Sequence, residues 1–273
     1  MPASAGQLSS RPLARFVISR GFIKSCTEYR MSKSPQLSNS VKYLLGGGLL
    51  IASMIAWLVS LRAMSAMPSN IPGFVALWTV MMAAMMLPSV MPAVLLFATV
   101  AQSRTQFGFP AAPTAVFVGG YLGIWILTGV GVALVDWASG VTMNAWGQVL
   151  VGGALITAGI YQFTRWKVLC LGHCRAPIHF FMEHWRDGLL GAIQMGAHHG
   201  LYCLGCCWGL MLALIALGLM NPVWMGAIAL LIFIEKAMPG GARFALFIGA
   251  ALILAGVGIV FGWIPLEQTT GGM

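Results

Sequence analysis

The stretch Gly188–Leu219 reads GLLGAIQMGAHHGLYCLGCCWGLMLALIALGL, without one Asp, Glu, Lys or Arg. About 20 apolar residues in helical form cross a bilayer core, so this run is a membrane helix candidate with length to spare. Its first part, Gly188–Gly200, can also stand apart as an interfacial or re-entrant segment. Successive residues of a helix turn by about 100°, which sets Met195, His199, Cys203 and Cys206 within an arc of roughly 80°, with Cys207 at its edge and His198 beside it. One stripe then carries imidazole, thiol and thioether, a set that suits Cu(I) or Zn(II) and poorly suits Mg or Ca. Packing is the alternative, because cysteine and methionine are also adaptable apolar fillers. A histidine inside a membrane helix is harder to explain as filler, since a polar group is costly there and marks a functional or paired position.

Composition extends that reading to the whole chain. Of 273 residues, 59% are hydrophobic and only 8% are charged, whereas a soluble domain carries about 25% charged residues. The expected fold is all-α, a polytopic transmembrane helical bundle of about seven spans over residues 43–264. The spans are placed near Tyr43–Leu61, Gly73–Val100, Thr114–Val135, Ala145–Phe163, Gly188–Leu219, Pro222–Met238 and Ala242–Trp263, and six or eight crossings also fit. Residues 1–42 read as a flexible, basic cytoplasmic leader, with Met31 as an alternative start, and residues 265–273 as a short tail. With seven spans and the N-terminus in the cytoplasm, Arg62 alone among the Lys and Arg residues falls outside, as the positive-inside rule asks. The net charge of +9 is then a matter of topology and anionic lipid, with no call for nucleic acid. A bacterial inner membrane is the implied location.

The second span carries WTVMMAAMMLPSVMP, Trp78–Pro92. Met81, Met82, Met85 and Met86 cover about 140° of a helix, and Pro88 and Pro92 free backbone carbonyls there. A row of thioethers suits a relay for Cu(I), with gap-filling between helices as the competing explanation. Between the fourth and fifth spans, residues 164–187 read as a polar loop in which Cys170, His173 and Cys174 cluster, followed by His179 and His184. The spacing is not a zinc-finger signature. Facing a reducing cytoplasm, its cysteines favour free thiols or metal over a disulfide. Glu235 and Lys236 close the sixth span and either pair with other groups or snorkel to the interface, the commoner fate of a charge near a helix end. The glycines Gly46–Gly48, Gly119, Gly120, Gly152 and Gly153 read as helix-packing positions.

In order, MMAAMMLPSVMP, CLGHCRAP, HWRDG, HHGLYCLGCCWGLM, MNPVWM and IEK make the chain, from about Tyr43 to Arg243, resemble the bacterial family of predicted metal-binding integral membrane proteins, a domain of unknown function. The resemblance implies an all-helical membrane domain with a metal site at Cys170, Cys174, His199, Cys203, Cys206 and Cys207, and brings no established reaction.

Two function classes follow. The first is a metal-binding membrane protein that holds or passes copper through Cys, His and Met ligands, in exchange with a metal donor or acceptor protein or a membrane enzyme. The second is a membrane metalloenzyme or redox subunit using the same Cys/His site. Copper is preferred and zinc is second, because methionine is a poor zinc ligand. No Ser/His/Asp set or paired carboxylate points to hydrolysis, and the chain has six acidic residues in all.

Overall fold

The computed structural model describes residues 37–63, 68, 70–104, 111–139, 147–178, 181, 185–218 and 221–264. Among them there is α-helix and no strand: α1 (Asn39–Ala63), α2 (Ile71–Arg104), α3 (Ala111–Ser139), α4 (Gln148–Gln162), α5 (Arg165–Arg175), α6 (Gly188–Gly218), α7 (Pro222–Ala237) and α8 (Gly241–Val260). Five of these, α1, α2, α3, α6 and α8, are long and apolar enough to cross a membrane. α4 and α7, at 15 and 16 residues, are shorter than the spans expected there.

The sequence bounds of the helices follow from local chemistry. Asn221 caps α7 through its side-chain oxygen, which accepts from the backbone N–H of Val223 and Trp224, and Pro222 fills the first turn, where its missing N–H costs nothing. α6 runs unbroken through Gly188–Gly218, so Gly188–Gly200 is the first third of one helix and not a separate segment. In α2, Pro88 removes the donor that would have met the carbonyl of Ala84. Ser53 of α1 replaces it, its hydroxyl donating to that oxygen at 2.8 Å. Apolar surroundings make such a replacement obligatory.

α6 is the hub, packed by α3, α4, α5 and α7, while α8 lies along α4 and α1 along α2. Its buried stripe includes Met195, His199, Cys203, Cys206 and Cys207, the face expected from the helical period. Outward-facing apolar side chains such as Leu127, Leu190, Phe247 and Leu254 are exposed by 66 to 77%, the pattern of a surface that meets lipid.

Close approach at two seams depends on hydrogen in place of a methyl group. A Cβ on Gly196 would come within 2.0 Å of the Phe117 carbonyl oxygen, and one on Gly120 within 2.3 Å of that of Ile193, so α3 and α6 touch backbone to backbone. Gly152 with Gly256 and Gly159 with Gly249 do the same for α4 and α8. By contrast, a Cβ on Gly47, Gly48, Gly119 or Gly153 would meet nothing within 4 Å, so these expected packing positions are not used as such. Gly196→Val therefore forces α3 from α6 and is expected to cost about 1–3 kcal/mol or more. Thermal unfolding in detergent checks this, with Gly47→Ala as the substitution that leaves the midpoint in place.

Candidate functional site

The segment expected to be a loop over residues 164–187 begins instead with α5. Thr164 is its N-cap, its hydroxyl oxygen accepting from the Lys167 backbone N–H, and Lys167 and Leu171 form its buried face four residues apart. The cap was present in the sequence as a Thr before an apolar-periodic run, and it is the signal that separates this helix from a loop. Helical spacing puts Cys170 and Cys174 on one side, toward α6. His179 and His184 lie outside the described residues.

Charge holds α5 in place. Lys167 and Glu235 form an ion pair at 2.7 Å with side-chain exposures of 1% and 2%, and the Gln162 amide donates to the other carboxylate oxygen at 3.4 Å. Arg175 donates to the carbonyls of Glu235 and Met238 at 3.2 and 2.7 Å, a cation satisfying the open carbonyls at the C-terminus of α7. Neither Glu235 nor Lys236 snorkels, and Lys167 and Lys236 do not belong with cytoplasmic loop charges. A carboxylate and a lysine that meet inside apolar packing are held there by one another, because either alone would be costly to bury.

With α5 fixed, sulfur atoms from two helices meet. Cys206 of α6 lies 3.7 Å from Cys174 of α5, sulfur to sulfur. The thiols of Cys206 and Cys207 are also 3.1 and 3.0 Å from the Cys203 carbonyl oxygen, which can accept from them. Cys203 itself receives the Lys236 ammonium at 3.0 Å, with the Tyr121 hydroxyl at 3.1 Å. Cysteine binds metals as the thiolate, the form that an adjacent ammonium favours. Lys236 reaches Ser89 on α2 as well, at 3.3 Å. Lys236, Tyr121 and Ser89 are site residues that the sequence reading missed. A lysine in an otherwise apolar helix was the available signal.

The other candidates are distributed around this cluster. His199 is buried one turn before Cys203, bracketed by the rings of Phe117 and Tyr121 with centroids 6.2 and 6.3 Å away. Met195 is buried one turn further on. Met81, Met82, Met85 and Met86 of α2 are all buried in the same core as the three α6 cysteines. His173 stacks on Tyr202 at 4.3 Å and its Nδ1 lies 2.9 Å from the Leu169 carbonyl oxygen, so its ring is held at the edge of the cluster. Cys170 fits against Gly205, where a Cβ would come within 2.6 Å of its sulfur. Burial, then the neighbouring Cys206, pushes the Cys170 thiol up from its ordinary value. His198, about 100° around the helix from His199, is exposed and not gathered with the rest.

Among the described residues, no group of three or more His, Cys, Asp or Glu side chains forms a ready-made metal cage. The donor chemistry nevertheless fits a soft ion. Two sulfurs bound to one tetrahedral metal at about 2.3 Å each lie about 3.8 Å apart, and Cys174 and Cys206 are already at 3.7 Å.

The PpoB2 family, described as copper chaperone, matches residues 75–259 of this chain. No curated protein and no solved structure matches it.

The ion pair carries a definite energetic expectation. Lys167→Met leaves the Glu235 carboxylate buried and unanswered, which is expected to destabilise the fold by about 3–5 kcal/mol, while Lys167→Met with Glu235→Gln restores most of it. Unfolding of the two single variants and the double variant in detergent gives the coupling, and additive losses would remove the pair from this role.

Proposed function

The chain belongs to the PpoB2 copper chaperone family, and from that premise we propose that it takes up Cu(I) within the membrane on Cys174, Cys203 and Cys206 and hands it to a partner. The observation that carries this reading is the 3.7 Å approach of the half-buried Cys174 to the buried Cys206, contributed by separate helices, with Cys203 buried one turn away. Thiolates select soft monovalent copper, with zinc as second choice. Cys207 and His199 are reserve ligands within a turn of Cys203, and Cys170 lies one turn before Cys174. Met195, Met81 and Met85 supply thioethers along an approach to the cluster, weak ligands that exchange readily. His198 and His173 stand at its margin.

The bundle is read as seven crossings, with α4 and α7 as the short ones, in a bacterial inner membrane with a cytoplasmic N-terminus. The partner is a metal donor or acceptor protein or a membrane enzyme. Each cysteine that is still a protonated thiol releases its proton on ligation, so loading is coupled to proton loss at the cluster.

Purified protein is expected to carry about one copper per chain, and Cys203→Ser with Cys206→Ser to abolish it, by the soft-ligand argument. Elemental analysis of both proteins tests this, and full copper in the double variant would reject the assignment. Replacing Met81, Met82, Met85 and Met86 together by Leu keeps the core volume nearly constant. Slower copper uptake at unchanged final stoichiometry is expected in stopped-flow competition with a Cu(I) chelator. An unaltered rate would leave these methionines as packing alone.

A further inference from the structure

Adjacent positions at the end of α7 send opposite charges in different directions. Glu235 is answered by Lys167, the one ion pair among the described residues. Arg175 is directed at the carbonyls that end α7, where the helix dipole answers it. Among the described residues no carboxylate pairs with Lys236. Its ammonium lies between Cys203 Sγ at 3.0 Å and Ser89 Oγ at 3.3 Å. Of the other groups facing the cluster, Tyr121 and Ser89 are neutral hydroxyls, and His199 sits one turn from Cys203 on the same face of α6.

We propose that Lys236 is a valence filter for the thiol cluster: its fixed positive charge beside Cys203 admits a monovalent metal ion and turns away divalent ones. The inference rests on the copper reading above and sharpens it, giving the charge class of the cargo. Sulfur donors alone do not make this distinction, because cysteine clusters bind Zn(II) as well as Cu(I). Repulsion from a neighbouring ammonium scales with the charge of the incoming ion, so a divalent ion meets twice the penalty, and a partly buried pair is screened less than one in open water. The ammonium also holds the place of the metal before loading. When Cu(I) binds the sulfur of Cys203, Lys236 gives up that contact and keeps Ser89, so its charge stays hydrogen-bonded.

The test is a competition between Cu(I), buffered by a chelator under anaerobic conditions, and Zn(II), on the full-length protein in detergent. Wild type, Lys236→Met, Lys236→Arg and Ser89→Asp are compared, with monodispersity recorded for each. Lys236→Met is expected to lower the ratio of Cu(I) to Zn(II) affinity by about tenfold or more, chiefly by gaining zinc, while Lys236→Arg keeps the wild-type ratio. Ser89→Asp places a carboxylate beside the ammonium and is expected to shift the ratio the same way with the lysine retained, which decides the matter if Lys236→Met does not fold. An unchanged ratio in a folded Lys236→Met or Ser89→Asp protein overturns the filter, as does an equal fall in Lys236→Arg, which would make it an effect of shape. A wild-type protein that prefers Zn(II) overturns the filter and leaves metal binding standing. One that takes up neither ion overturns the copper reading with it.

Discussion

A carboxylate placed inside apolar helix packing has to be answered by a cation, and most of the local architecture follows from meeting Glu235. Lys167 does so at 2.7 Å. To reach it, residues just after α4 turn at Phe163 and Thr164 and re-enter the fold as α5, whose far end then supplies Arg175 to close the open carbonyls of α7. These contacts bracket α5 at both ends. The residue that they carry into place is Cys174, which has no strong attraction of its own for Cys206. Electrostatics positions the helix, and the meeting of two sulfurs is its consequence.

Steric economy provides the second half. An ion pair that ties α5 to α7 leaves α5 to fit against α6, and there Gly205 removes the side chain that would collide with Cys170. The seam of Gly120, Gly196 and Gly200 does the same for α3, bringing Tyr121 close enough to touch Cys203. Where helices associate in lipid, they draw on such close contacts because there is no hydrophobic gain from leaving lipid. Glycines and buried charges therefore serve one end, a cluster whose sulfurs come from α5 and α6 and whose other contacts come from α2, α3 and α7.

How much of this was legible in the sequence depended on whether the signal was local. Apolar length set the helices, and the ends of α6, α7 and α8 fell within a few residues of expectation. The 3.6-residue period alone put Met195, His199, Cys203 and Cys206 on one buried stripe. Pairings between distant segments carried no comparable signal. Nothing near Lys167 names Glu235, 68 residues away, so a partner for Glu235 could be expected from its place in an apolar span but not identified. The same blindness made α5 a loop, since its two lysine and arginine anchors looked solvated. The short polar helix became a core element only through partners on α7. Residues such as Ser89 and Tyr121 bear no ligand chemistry, and only the contact with a lysine and a cysteine marks them.

A protein that passes an ion onward must be able to stand empty without penalty, and the hydrogen bonding of the cluster bears on that requirement. Cys206 and Cys207 have the Cys203 carbonyl oxygen within reach, and Cys203 has both Lys236 and Tyr121. No sulfur of the α6 trio is left facing apolar side chains alone, so the empty state satisfies its polar groups internally, as buried groups must. Loading then exchanges one satisfied arrangement for another, and unloading returns the thiols to partners already in place. A cage with no internal partners would gain more from an ion and release it less readily. On the proposed reading, the hydrogen bonds that the thiols regain on unloading suit this cluster to carrying copper over storing it.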